Sequence, residues 1–420
     1  MANKISLDRL RLAEHLLPGD VITWPQGPGE PLALTELLVA QRAELASATL
    51  MVGLTASNTL RPELADRFSF LALNGAGSTR RITALAEIVP SHISTLPALI
   101  RSGTLRVDVA LIQVRPLPSG DYTVGVICDF TQAMIRQART VIALVNESLP
   151  LTLQDAVVAA GDIDILVEGD NRIIDMPDPV PSSVEQAVAA HVAAVIPDRA
   201  TVQLGVGTLP AAVAASLFHH KDLGVHSGVV TDVLVDLVER GVVTNAHKGR
   251  DSGLTVTGGL LGTRRLRDFA ERSGSIAMRS VEYTHHLSVA ATLPRFHTIN
   301  SAIEIDLSAQ VNSEVAGGRY LGAVGGQVDF VRAGMASPEG HSIFAFPSTT
   351  PDGKQSRIVA SLGDRPVTTA RSDVDIVITE YGVSHLRGCS LRERARRLAA
   401  IAHPDHREAL LRAIRDNRAD

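Results

Sequence analysis

Three segments combine chemistry-bearing side chains with backbone that can approach a ligand. The first, VQLGVGTLPAAVAASL (202–217), ends a strand at Gly205 and Gly207 and opens a helix with Pro210 in its first turn. Amides at such a turn can meet a phosphate or a pantetheine chain, and a helix N-terminus favours anions. The segment is neither a Walker A loop nor a full G-x-G-x-x-G motif. The second, LGVHSGVVTDVLVDLVERGVVTN (223–245), carries His226, Ser227 and Asp232 around Gly228. The third, RYLGAVGGQVDFVRAGMAS (319–337), has Gly322, Gly325 and Gly326, where the backbone can lie against a ligand. Each has a plainer alternative: a β–α turn, a core histidine, a bend between strands. The pairs His219–His220 and His285–His286 suggest metal chemistry, but adjacent helical residues point about 100° apart. No HExxH or Cys/His spacing accompanies them, so no metal is expected and solvated or capping roles are.

These segments sit in a chain of 420 residues, enough for two or three domains. Charged residues make up 20% and the net charge is −5, which argues against a nucleic-acid partner. No apolar run is long enough for a membrane span, and no secretory signal is read. Cys128 and Cys389 form no motif, which fits a cytoplasmic protein.

Short Val/Ile/Leu-rich runs at 107–114, 140–146, 163–169, 200–207, 297–307 and 373–379 read as strands covered on both faces. Helical patterns lie at 32–45, 183–195, 210–217, 263–271, 390–402 and 404–415. The N-terminal MANKISLDRLRLAEHL reads as an amphipathic helix, and RDNRAD (415–420) as a frayed helix end. Strand–helix alternation predicts an α/β protein with largely parallel sheets. The proline-rich stretch 175–188, with Ser182 or Ser183 as a helix cap, predicts a boundary near residue 180. DVALIQV in the first half and DVDIVIT in the second are faintly alike, which suits two related domains.

GVGTLP, INSAIEIDL, GAVGGQVDFVRAG, SRIV, VITEYGVSHLRG, SLRERA and IAHPDHR follow one another between Gln203 and Arg407. In content and order they resemble the acetyl-CoA hydrolase/transferase family, which includes the 4-hydroxybutyrate CoA-transferases. GEP (29–31), LLVAQRAEL (37–45) and CDFTQAMIRQARTVIALVN (128–146) match it more loosely. The resemblance implies two similar α/β domains of the NagB/RpiA/CoA-transferase-like type: an N-terminal domain at 1–180 and a C-terminal one at 181–420. It implies coenzyme A or acyl-CoA bound as substrate at their junction, with a small carboxylic acid as partner and a homodimer or higher homo-oligomer. Gly205, Val206, Gly207, Thr208 and Leu209 match the family's CoA-contacting loop, and Gly326, beside Gly325, matches a further CoA contact. Asn300 to Ile303 are expected beside the acyl group.

One position departs from the pattern. The family reads GIHTEM-SDG where this chain has Gly224, Val225, His226, Ser227 and Gly228. Its Glu attacks the thioester and becomes a glutamyl-CoA thioester, splitting one hard step into easier ones. Glycine has no side chain for this. Three readings follow. Another carboxylate takes over, with Glu30 as the candidate. Alternatively, the space at Gly228 holds water or the acceptor acid, and His226 or a carboxylate assists hydrolysis or direct transfer. In the third, the chain binds acyl-CoA without turnover.

Overall fold

The computed structural model describes residues 3–416. Two large sheets dominate, one in each half of the chain. In the first, strands lie in the order Ala86–Ile88, Phe68–Ala72, Ala48–Val52, Val21–Thr23, Val109–Pro116, Thr140–Val145, Ile165–Glu168 and Asn3–Ser6. Every neighbouring pair along this path is parallel. The second runs Ile276–Met278, Thr255–Thr257, Gly224–Ser227, Thr201–Leu204, Phe296–Asn300, His341–Ala345, Ile376–Thr379 and Gly382–His385. It is parallel except for the closing hairpin. Burial explains the near-continuous apolar strands: all of Ile376–Thr379 and the first six residues of Val109–Pro116 are inaccessible.

The two sheets are built alike. Apart from the N-terminal edge strand Asn3–Ser6, each starts at a middle strand (Val21–Thr23 or Thr201–Leu204), adds three strands on one side, then crosses back to add the others on the opposite side. Matching the orders pairs Ile165–Glu168 with Ile376–Thr379. The related strands are therefore IDILVEG and DVDIVIT, not DVALIQV and DVDIVIT. The crossing back creates a switch point in each sheet, where ligand crevices form beyond the strands' carboxyl ends. Backbone hydrogen bonds join the two halves at these ends: Cys128 N to Gly258 O (2.9 Å), Leu260 N to Val126 O (2.8 Å) and Gly75 N to Gly322 O (2.7 Å). One apolar cluster runs from Ala110 to Ile378 across both halves.

Helices occur at Leu32–Gln41, Ser183–Val195, Thr208–Ser216, Arg264–Ser273, Leu391–Ala400 and Pro404–Asp416, close to the expected spans. Ser182 caps the second in a capping box with Glu185. Two expectations fail. Asn3–Ser6 is an edge strand followed by short 3₁₀ turns, because pairing with Ile165–Glu168 outweighs the amphipathic pattern. The run 297–307 is not one strand: Phe296–Asn300 belongs to the large sheet, while Glu304–Asp306 joins a three-stranded sheet. Residues 417–420 of the expected frayed end, and Met1 and Ala2 of the expected first helix, lie outside the described residues.

Several buried histidines titrate abnormally. His297 is enclosed in the second sheet, its Nδ1 2.8 Å from the Arg295 carbonyl, and burial lowers its pKa to about 4. The folded protein thus binds fewer protons here than the unfolded chain below about pH 6.5. This contribution to stability is fully present above that pH and is lost as pH falls towards 4. Replacing His297 with Gln should reduce the stability lost between pH 7 and pH 5 by about 2 kcal/mol, read from urea unfolding at the two pH values. An unchanged pH dependence would contradict this assignment.

Candidate functional site

A cavity of about 310 Å³ lies where the carboxyl ends of the two sheets face each other. The first half supplies Gln26, Leu54, Asn74, Ile127 and Asp129. The second supplies Gln203 to Val206, Gly228, Gly258, Gly259, Asn300, Gly326, Gln327 and Phe330, with His285 on the wall between them. Most of the lining is apolar or glycine, with a few convergent polar groups, the usual composition of a small-molecule site.

One strand end and two helix starts shape the wall. The Thr201–Leu204 strand runs into Gly205 and Val206 at the cavity, then turns through Gly207 at φ +117° into the helix Thr208–Ser216. That φ lies in territory a side chain resists, which explains the glycine. The helix Gln327–Ala336 starts at Gly326, so its N-terminus also opens on the cavity and favours negative charge there. Buried polar atoms complete the wall. Asn300 Nδ2 and Gln203 Oε1 have no hydrogen-bond partner among the described residues. An orphaned buried donor or acceptor costs free energy, which a ligand's polar group would recover.

The expected residues divide into those on this wall and those away from it. Gly205, Val206, Gly228, Asn300 and Gly326 line the cavity. Gly207 lies in the adjoining groove with Pro210 and Val229. The Thr208 hydroxyl is bonded to Glu185, and the Leu209 side chain packs in the core, so these two residues can offer a ligand only backbone. Gly325 lines a smaller neighbouring pocket, with its carbonyl taken by Ile93 N at 2.9 Å. Ile303 is not at the cavity. Its N–H donates to Asn312 O and its carbonyl accepts from Arg357, both within the three-stranded sheet region.

Glu30 also lies off the cavity wall. Its Oε1 accepts from the hydroxyls of Thr35 (2.7 Å), Ser57 (2.8 Å) and Thr59 (2.9 Å), at 1% exposure. Burial raises its pKa against the pull of those three donors. These bonds tie Oε1 to the loop after Val21–Thr23, while Oε2 is buried with no partner among the described residues and is not on the cavity wall. His226 lies behind the wall and is fully buried. Its Nε2 donates to the Thr284 carbonyl at 2.9 Å, and burial lowers its pKa to about 3. It therefore braces the segment around Thr284 rather than facing a substrate. Asp232 accepts from Thr263 N and Leu266 N, holding the start of the helix Arg264–Ser273.

The space beside Gly228 is filled by His285. A Cβ at residue 228 would stand 2.7 Å from His285 Cε1 and 3.0 Å from Nε2. A Cβ at Gly326 would collide with the same ring from the other side. The imidazole packs at a tilt against Phe330, with ring centres 4.3 Å apart. Gly228 has no positive φ, so its conflict with a side chain is one of space alone.

Sequence reasoning missed His285, Asp129 and Gln26. The 100° rule that removed a paired-metal reading also implies that one of two adjacent histidines turns inward when the other turns out. His286 does face solvent, where its ring caps the short helix Leu287–Ala290. Asp129 is on the wall, its carboxylate accepting from Gln26 Nε2 (2.8 Å), Phe130 N (2.6 Å) and Thr131 Oγ1 (3.2 Å), with its pKa raised by burial. No local motif marks Asp129 or Gln26, because only the meeting of the two halves gives them a role.

Two family models match the chain: the acetyl-CoA hydrolase/transferase N-terminal domain at residues 7–177 and the C-terminal domain of the same family at 262–414. The stretch holding Gly228 falls between them. The 4-hydroxybutyrate coenzyme A transferase of Clostridium kluyveri is 37% identical, over 93% of this chain and 92% of its own. Among solved structures, RipA from Yersinia pestis superposes with a TM-score of 0.92 at 30% identity, covering 99% of this chain and 98% of that one. A 4-hydroxybutyrate CoA-transferase from Porphyromonas gingivalis gives 0.84 at 32% identity, with coverage of 99% and 98%.

The packing around Gly228 has a measurable consequence. Gly228→Ala should destabilise the fold by about 1–3 kcal/mol through overpacking against His285. In the double variant with His285→Ala that penalty should largely disappear. A double-mutant cycle by urea unfolding measures the coupling, and additive effects would refute it.

Proposed function

This chain belongs to the acetyl-CoA hydrolase/transferase family, and on that footing we propose that it binds an acyl-CoA between its two halves and passes the CoA to a small carboxylic acid. The observation that carries this reading is the cavity itself. It joins two helix N-termini, a glycine wall open to a thin pantetheine chain, and the unpartnered Asn300 amide. A thioester carbonyl accepting from Asn300 Nδ2 would satisfy that orphan and gain most as charge develops on its oxygen, the differential stabilisation that catalysis requires. Gly205 and Val206 would lie along the pantetheine, with Gly207 continuing the path outward.

Hydrolysis is the second reading, favoured by one specific observation: residue 228 offers no carboxylate to store the CoA while acids exchange. In both readings the domains are 1–180 and 181–420, meeting at the cavity. The active form is a cytoplasmic homodimer or higher homo-oligomer, and the free thiols Cys128 and Cys389 suit a reducing compartment.

Incubation with radiolabelled acyl-CoA and a panel of short carboxylic acids tests this. CoA should appear on a new acid, and formation of free CoA alone would favour hydrolysis. Binding without either product would refute an enzymatic role. Glu30→Gln should retain turnover within about threefold, since Glu30 does not line the cavity and the change leaves a group of similar size to accept from the hydroxyls.

A further inference from the structure

We propose that His285 Nε2 is the nucleophile of this cavity and that acyl transfer proceeds through an acyl-imidazole at His285. The inference rests on reading the cavity as a thioester site, and it names the group that acts there in place of a carboxylate.

The argument starts from where the ring is. His285 is buried at 5% exposure, yet it lines the cavity. Its imidazole occupies the room in which a side chain at residue 228 would begin. Neither neighbouring glycine can gain a carbon without meeting the ring, so the two glycines and the histidine form one packed unit.

Hydrogen bonds then set which nitrogen is free. Thr284 Oγ1 lies 3.2 Å from the Ser280 carbonyl and 2.8 Å from His285 Nδ1. In the proposed tautomer the hydroxyl proton goes to Ser280 O, which can only accept. The hydroxyl oxygen then accepts from Nδ1–H, and Nε2 keeps its lone pair. Nε2 makes no hydrogen bond among the described residues. His226 supports this arrangement from behind by holding the Thr284 carbonyl at 2.9 Å.

Burial keeps the ring neutral before attack, and the cation formed by attack is offset by the departing thiolate beside it. Burial lowers the His285 pKa to about 3, so the ring is neutral near pH 7 with its lone pair available. The nearest hydrogen-bond partner of Nδ1 is a hydroxyl, not a carboxylate that would stabilise an imidazolium.

The step balances without another reagent. Nε2 bonds to the thioester carbon, the C–S bond breaks, and CoA leaves as thiolate beside an acyl-imidazolium. With water as acceptor, the C–N bond breaks, its electron pair returns to Nε2, and the released proton joins the thiolate to give free CoA and the acid. With a carboxylate as acceptor, its oxygen takes the acyl group to form a mixed anhydride. The thiolate then attacks the acceptor's carbonyl and the original acid departs.

The test quenches the full-length protein with acid during turnover of an isotopically labelled acyl-CoA and maps the adduct by mass spectrometry. The acyl group should reside on the tryptic peptide 280–295, at His285 rather than His286. His285→Ala should lose at least about 10²-fold in turnover while retaining CoA binding by calorimetry, and His286→Ala should remain active. Should His285→Ala fold poorly, His285→Gln serves with the same expectation. Unchanged turnover in the His285 variants, or acyl label on Asp129, overturns the role of His285 and leaves the thioester site standing. Absence of both acyl-CoA binding and turnover in the wild type overturns both.

Discussion

The His285 imidazole is clamped between Gly228 and Gly326, and this contact fixes much of what surrounds it. Close-packed interiors yield little to an extra carbon, so neither glycine gains a side chain without displacing the ring. The clamp also joins distant pieces of chain. Gly228 ends one strand of the second sheet, Gly326 starts a helix, and His285 follows a short helical turn whose amide, at Val281, donates to Asp129 O of the first half. A change at any of these would be felt across the junction.

The junction exists because both sheets reverse direction in the same way. Each middle strand sends its chain into a Gly-Pro loop and a helix: Gly27 to Pro31 in the first half, Gly205 to Pro210 in the second. The two loops face each other across the cavity, so Gln26 and Gly205 line one wall system despite their separation in sequence. Yet the halves have diverged in what they offer. The first contributes a caged Glu30, a well-bonded Asp129 and the amide network of Gln26, whose Oε1 accepts from Leu54 N and Asn74 Nδ2. The second contributes open glycines, Asn300 and His285. Both halves hold buried polar atoms without partners, but those on the cavity wall, Gln203 Oε1 and Asn300 Nδ2, belong to the second.

The fold was legible where burial wrote it into composition. Strands covered on both faces read as Val/Ile runs, and Ser182 with Glu185 announced a helix start. The first strand and the break at 301–303 were not legible, since both depend on partners far away in sequence. The cavity was legible through its glycines: Gly205, Gly228 and Gly326 all reach the wall. Glu30 and His226 failed for a common reason. Charge and basicity suggest chemistry, but the local sequence does not say whether three hydroxyls or a neighbouring carbonyl have already claimed the side chain. His285 was hidden for the opposite reason. Its neighbour His286 is an ordinary exposed cap, and only the absent side chain at 228 makes room for an inward ring.

Replacing an anion with a neutral ring also changes the charge balance of the cavity. A carboxylate at residue 228 would be a charge in a low-dielectric site, close to Asp129, and like charges in such surroundings raise each other's pKa. A neutral imidazole removes that repulsion. The positive charge that arises on the ring during attack would be offset by the departing thiolate. The glycine at 228 is therefore consistent with a relocated reacting group: the packing that forbids the old side chain is the packing that positions the new one.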